Sequence, residues 1–416
     1  MTGAGSENKH RTGDRDSGPA AIPAPVPVVV VTTVVQALAT MCTMIPAAIA
    51  PEMAQAFGVP ASLIGFQVSL VYLGAMATSV IGGLGVRRLG ALRISQWALG
   101  FAGAGVLLAA VPSLVGLAVG SVLIGFGYGL TNPAGAHLLM RVSKPENRNL
   151  IFSVKQTGVP LGGIAAGLAA APLALTFGWQ GALLAGAAAA LAFLAMIQPL
   201  RRAWDEDRDP SVSLLQDPMG DFRLIWRHPV LRRMSMASFC FSAVQVSLTT
   251  FAVTMLVEDI HFGLVQAGVV LSVVLVAGGS GRLLWGWIAD RVGDANRVLL
   301  GVALIAASAG LMTVFLDAGT GRTVLYGVLC LFGLSAIGWN GVFLAEIARL
   351  APSGRIGSAT GGALVPTYAG VLVGPASFAG VFWLAGQYTF TFGVFALVSL
   401  SGFAMILAAR RRLAGD

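Results

Sequence analysis

Apolar residues run along this chain in stretches of about twenty, broken by short polar segments, with no sustained strand-like alternation. A helix that crosses a bilayer needs about 20 apolar residues. Twelve stretches meet that length, at roughly 27–50, 61–83, 94–112, 114–138, 149–175, 180–199, 234–257, 264–289, 297–316, 323–347, 357–382 and 388–409. The pattern predicts an all-α membrane protein with twelve transmembrane helices in two pseudo-symmetric six-helix bundles. Residues 1–26 are polar and rich in Pro and Gly, and read as a disordered tail. Within them, the alternation of Pro with apolar residues from Ile22 to Pro27 favours extended chain. An N-terminal bundle is then expected over 27–199, a linker over 200–233, a second bundle over 234–409 and a short tail over 410–416. Ala48-Ile49-Ala50 resembles a signal-cleavage site, but the first stretch exceeds the 7–15 apolar residues of a signal peptide and carries a polar stripe, so it is expected to be retained.

Charge gives these segments a direction. Only 11% of residues are charged and 56% are hydrophobic, which excludes an ordinary soluble enzyme, a disordered chain and a disulfide-framed secreted domain. With both termini on the cytoplasmic side, 25 of the 26 Lys and Arg residues fall at or near that side, and Arg322 alone on an outer loop. The net charge of +8 is therefore a topology signal rather than a mark of nucleic-acid binding. The preference for Arg over Lys and the wealth of Gly and Ala hint at a GC-rich bacterial source, hence a multi-pass protein of the inner (plasma) membrane. Trp97, Trp179, Trp226 and Trp383 lie near segment ends, where indoles anchor at the interface, whereas Trp339 lies deep in segment ten.

The two halves repeat. Thr33, Gln36, Thr40 and Thr43 form a polar stripe on segment one, and Ser238, Ser242, Gln245 and Thr249 form another on segment seven. Gln36 and Gln245 are 209 residues apart, and Asn132 and Asn340, each seven after a Gly, are 208 apart. The loops after segments two and eight, Gly83 to Gly90 and Gly286 to Gly293, correspond at an offset of 203. A six-span repeat predicts a site between the bundles near the midplane, faced by both stripes. Each hydroxyl taken singly fits interhelical packing as well.

Gly286-Trp287-Ile288-Ala289-Asp290-Arg291-Val292-Gly293 matches the G-x-x-x-D-R-x-G signature of the major facilitator superfamily, and with the twelve spans and long middle linker the chain resembles that family over 27–409. The resemblance implies that Gly286, Asp290, Arg291 and Gly293 form a conformational gate linking helices on the cytoplasmic side. Arg87 replaces the acidic residue in the first-half copy, which is degenerate. Ser121, four before Gly125, stands where many proton-coupled members carry Arg. Gly158-Val159-Pro160-Leu161-Gly162-Gly163 is similar to, but departs from, the Gly-Pro run of exchangers. The runs Lys155 to Pro160 and Gly338 to Gly341 resemble most the cyanate- and nitroimidazole-transporter branch, and Arg282 resembles the substrate Arg of monocarboxylate transporters.

Ionisable residues inside spans are costly and mark function. Arg282 and Lys155 are the two basic candidates; together they suit a small anion, Arg by bidentate contact and Lys as a compact charge. Against this, either could snorkel to the inner interface, Lys155 more readily because it is nearer its helix end, and Arg282 could join Asp290. The remaining candidates for substrate contact are Gln36, Thr40, Asn132, Gln245, Trp339, Asn340 and Tyr368, with packing the competing role for Trp339. No Asp or Glu lies near the middle of a span, which weakens a cation-exporter reading and leaves proton coupling without a named residue. His137 titrates near neutrality in principle, but a lone His there fits a structural role. The four His show no metal spacing, Cys42, Cys240 and Cys330 sit in apolar runs, and no phosphate loop is present, so no cofactor and no enzymatic activity is expected. The expected function is secondary transport of a small organic solute, an anion, by alternating access. A proton is the coupling ion, and the carrier is a monomer in the lipid bilayer. The alternatives are a drug-efflux pump of the same superfamily and a non-transporting sensor, which would need an output domain larger than the 34-residue linker.

Overall fold

The computed structural model describes residues 24–59, 64–213 and 220–413, and residues 1–23 of the tail expected over 1–26 lie outside them. The regular structure within the described residues is helical. In chain order the α-helices are α1 Pro25–Ala48, α2 Ala50–Phe57, α3 Gln67–Leu89, α4 Ala91–Ala109, α5 Leu114–Val142, α6 Arg148–Gln156, α7 Gly158–Met196 and α8 Arg201–Trp204. They continue as α9 Gly220–Arg227, α10 Pro229–Glu258, α11 Leu264–Val292, α12 Ala295–Met312, α13 Arg322–Ala336, α14 Asn340–Leu350, α15 Ile356–Ala385 and α16 Tyr388–Leu413.

Eleven helical stretches among the described residues are long and apolar enough to cross a membrane, and one of them covers residues 148–204. At 1.5 Å per residue its 57 residues far exceed one bilayer. The chain reverses within it. Gly162 lies against Ala37 and Thr40, Trp179 meets Phe57 edge-on, and Gly186 returns to the level of Ile45. The reversal falls at Gly178, whose φ of 75° is open to glycine and strained for other residues. Two crossings in this stretch and one in each of the others make twelve.

Three local expectations change. The helix starts at Pro25, inside the stretch read as extended, because a proline in the first turn costs no hydrogen bond. The two glycine-rich segments read as loops are the last two turns of α3 and α11, which stop only at Gly90 (φ 96°) and Gly293 (φ 69°). Segment ten is broken over Ile337–Trp339: the Trp285 indole donates to the Leu334 carbonyl at 2.9 Å, the acceptor that the Gly338 amide would take in a continuous helix.

In the first bundle α1 packs on α7, α3 on α5, and α4 on α5 and α7; in the second α10 packs on α15 and α16, α11 on α13, and α12 on α16. The main contacts that join the bundles are α15 on α3 and α5, and α6 on α11 and α14. They gather between the arginine-rich end and the middle of the molecule. One apolar core accordingly runs through both bundles there, while the opposite end of the second bundle has a separate core around Leu248, Met255, Phe332 and Phe378. The linker is also ordered over its described residues. Asp205 caps α4 by accepting from the Leu92 and Arg93 amides (2.7 and 3.0 Å), and Asp207 pairs with His137 (2.6 Å) and Arg141 (3.1 Å). His137 thus has a carboxylate hydrogen-bond partner rather than standing alone.

Candidate functional site

The bundles enclose a cavity of about 80 Å³ at mid-height. α3, α5 and α6 contribute Tyr72, Tyr128, Asn132 and Gln156; α10, α11, α14 and α15 contribute Ser242, Gln245, Arg282, Asn340, Thr367 and Tyr368, with Trp339 from the break before α14. Tyr72, Tyr128 and Tyr368 meet across the bundle interface with ring centroids 5.8–6.0 Å apart.

Both intramembrane cations are drawn inward. Lys155 is 2% exposed and Arg282 3%, so neither snorkels. The Lys155 ammonium donates to Gln36 Oε1 at 2.6 Å and Asn132 Oδ1 at 2.5 Å, and Gly135 leaves the room its chain occupies. Arg282 Nη1 donates to the Gln156 carbonyl at 2.5 Å, and no carboxylate of the described residues pairs with either cation. Arg282 does not join Asp290, eight residues further along α11.

The repeat reappears in these contacts. In the first half the stripe residue Gln36 and the α5 residue Asn132 meet through Lys155. In the second half Gln245 Oε1 accepts directly from Asn340 Nδ2 (3.1 Å) and also from Trp339 Nε1 (3.0 Å). The hydroxyls behave differently from expectation. Thr33, Thr40 and Thr43 donate to carbonyls four residues back on their own helix (2.7–3.0 Å), and Ser238 and Ser242 bond to Thr367 of α15. In an apolar medium a hydroxyl takes the nearest free carbonyl, and of the two stripes Ser242 and Gln245 line the cavity while Gln36 meets it only through Lys155. Of the nine sequence-named residues, Arg282, Asn132, Gln245, Trp339, Asn340 and Tyr368 line the cavity, Lys155 and Gln36 stand behind it, and Thr40 is satisfied within α1.

Tyr72, Tyr128, Gln156 and Thr367 line the cavity without having been singled out. Tyr128 lies four residues before Asn132, on the same face of one helix, a spacing that could have disclosed it. Four buried polar atoms in this region have no partner: Gln36 Nε2, Gln156 Oε1, Arg282 Nε and Tyr368 Oη. Each such atom costs about 1–3 kcal/mol, and the four lie in one region of the interior, on or behind the cavity wall.

A larger recess of about 440 Å³ opens at the arginine-rich end, where Arg349 chelates Glu346 (2.7 Å twice) and Arg410 pairs with Asp294 (3.3 Å).

The signature residues sit at the bundle contact. Asp290 accepts from the Asn149 amide (2.9 Å), the Asn149 side chain (2.9 Å) and the Leu150 amide (2.8 Å), and so caps α6 of the opposite bundle. Gly286 and Gly341 face Ser153 of α6 so closely that a Cβ on either would overlap its side chain. Arg291 forms no hydrogen bond or ion pair with the other half among the described residues; its guanidinium stacks over Trp287 at 4.7 Å. In the first half the linker takes over this end, with the Asp209 amide donating to the Arg87 carbonyl (2.8 Å) and Arg88 to the Val212 carbonyl (3.1 Å).

Twelve membrane-crossing helices in two bundles, closed at one end over a shared polar cavity, define a membrane protein of the major facilitator fold. The chain belongs to the Major Facilitator Superfamily, whose sequence pattern it matches over residues 32–375. Two uncharacterised MFS-type transporters of Mycobacterium tuberculosis are each 28% identical to it, over 309 and 293 residues. These alignments cover 72% and 69% of this chain and 66% and 63% of the relatives, just under two thirds of their length. A probable chloroplastic anion transporter of Oryza sativa subsp. japonica is 24% identical over 360 residues, 81% of this chain and 58% of that one. Among solved structures, the Escherichia coli fucose:proton symporter superposes with a TM-score of 0.74 at 17% identity, over 93% of this chain and 99% of that one. The human organic anion transporter does so at 0.72 and 19%, over 92% and 98%. At these identities the likeness establishes the fold.

Proposed function

We propose that this protein is a secondary active transporter that moves a small organic anion across a bacterial plasma membrane by alternating access, coupled to protons. Both termini are cytoplasmic and the carrier works as a monomer. The observation that carries this reading is Arg282: a buried guanidinium on the cavity wall that has one backbone partner and no counter-ion among the described residues. A buried cation without an anion is expensive, and a substrate carboxylate entering the cavity relieves that cost. The rice relative described as a probable anion transporter and the human organic anion transporter of the same fold agree with this choice. In this orientation the arginine-rich end is cytoplasmic and closed, so the described conformation faces outward. A pump for lipophilic cations would want a carboxylate in the cavity, and none of the described lining residues is one.

The test is uptake of a radiolabelled carboxylate panel into proteoliposomes, with and without an inward proton gradient. Wild-type protein should accumulate an anion only with the gradient. Arg282→Ala should insert and fold normally yet lose uptake. Undiminished transport by Arg282→Ala would sink the anion site, and gradient-independent uptake would sink proton coupling.

A further inference from the structure

The two contacts that close the arginine-rich end are built alike. On one side Ser153 of α6 is seated against Gly286 of α11 and Gly341 of α14, and a Cβ on either glycine would overlap it. On the other side Ser358, in the first turn of α15, lies with its backbone against Gly83 of α3, and a Cβ there would overlap it too. Ser153 and Ser358 are 205 residues apart and Gly83 and Gly286 are 203 apart, so each half gives one serine and takes one through a glycine. Glycine is needed for so close an approach. Serine is not: alanine has the same Cβ and would fit either seat.

The hydroxyls are what set these two residues apart. Both serines are buried, and among the described residues neither Oγ has a hydrogen-bond partner. Comparable buried serines do find one. Ser95 and Ser121 donate to carbonyls four residues back on their own helices. Ser79, whose carbonyl lies against Gly361 in the same α3–α15 contact, donates to the Met76 carbonyl at 3.0 Å. A buried hydroxyl without a partner is costly, and here the cost belongs to one conformation. When the bundles part at this end, water reaches both seats and hydrates both hydroxyls. When they close, the hydroxyls lose that water and gain no bond in return.

From this we infer that Ser153 and Ser358 are the opening half of the gate: their stranded hydroxyls destabilise the closed arrangement and so offset the Asp290 cap, which stabilises it. The two arrangements are thereby kept close enough in free energy for the carrier to cycle. A group shifts such an equilibrium only by the difference in its interactions between the two states, and for these serines that difference has the opposite sign to an ordinary packing contact. The inference rests on alternating access and adds what sets its balance, whatever the substrate.

Double electron–electron resonance between spin labels on cysteines placed at Glu146 and Ser353, exposed residues of the two halves at this end, reads the closed and open populations. Two backgrounds supply the open distance. Asp290→Asn weakens the cap made across the bundles, and Gly361→Ala puts a Cβ into the Ser79 carbonyl. In either background Ser153→Ala and Ser358→Ala should each lower the open-to-closed ratio about tenfold, as expected for removing one unpaired buried hydroxyl. Ser79→Ala, whose hydroxyl stays bonded within α3 in both arrangements, should leave the ratio in Asp290→Asn unchanged. Thermal unfolding in detergent checks the sign: each gate-serine variant should unfold at a higher temperature than its parent, whereas loss of a residue that merely packs lowers it. An open fraction that is unchanged or larger in either serine variant, an equal response in Ser79→Ala, or a lower unfolding temperature overturns the inference while leaving alternating access standing. A single closed distance in both backgrounds overturns alternating access at this end, and the inference with it.

Discussion

Asp290 offers the most direct handle on the closed end. It caps α6 from the opposite bundle, and α6 has no side-chain cap of its own. Asp290→Asn preserves shape and one acceptor oxygen. It loses the negative charge at a helix N-terminus and one of the two acceptors that meet the Asn149 and Leu150 amides. A lost N-cap costs about 0.5–2 kcal/mol and the charge–dipole contribution about 0.3–1. These overlap, so about 1.5–2 kcal/mol is expected, and 1.4 kcal/mol is a factor of ten in an equilibrium constant. The cap exists only while the bundles touch, so the loss falls on the closed arrangement and should raise the open-to-closed ratio roughly 10–30-fold. Double electron–electron resonance reads this out between spin labels on cysteines placed at Glu146 and Ser353, exposed residues of the two halves at this end, after replacing Cys42, Cys240 and Cys330. A second, longer distance should emerge in Asp290→Asn. Asp259→Asn is the control: Asp259 caps α16 at Thr389 (2.7 Å) but within one bundle, so its loss should lower stability without changing the distance. An unchanged distribution in Asp290→Asn, or an equal change in both variants, would refute the latch.

Two further outcomes follow from the buried charges and the linker. Lys155→Met removes two hydrogen bonds but also an unpaired buried cation whose desolvation costs several kcal/mol; thermal unfolding should therefore move by no more than about 1 kcal/mol in stability, while uptake falls, and a fall of many degrees would make the lysine a structural pin. Burial pushes the Asp207 carboxyl up, but the hydrogen bond and charge of His137, with Arg141, outweigh it and hold the group below the ordinary carboxylate range. A lowered folded-state value gives stability that is present above the unfolded value of about 3.9 and is lost as pH falls through the folded one. The unfolding-temperature gap between wild type and Asp207→Asn should accordingly narrow as pH falls below the unfolded value, and a gap independent of pH would deny Asp207 this role.

Much of this molecule was legible along the chain. Lipid forces every crossing to satisfy its backbone internally and to be apolar for about twenty residues, so residue type alone determined the helical class and the number of crossings. The repeat of Gln36 and Asn132 in Gln245 and Asn340 pointed to residues that do meet. The G-x-x-x-D-R-x-G run marked Asp290, although its partner on α6, 141 residues away, is not written in it. What the chain left open were the choices among partners. Lys155 had two destinations at similar cost, the interface or the interior, and the fold decided by placing two amide oxygens within 2.6 Å. Whether a threonine faces a cavity or its own helix depends on which carbonyl is free. Whether segment ten is continuous depends on an indole from α11 arriving at Leu334. Hydrophobicity and charge sum along the sequence and can be read there. A hydrogen bond depends on a few tenths of an ångström between residues a hundred or more positions apart, and only the packed bundles set that distance.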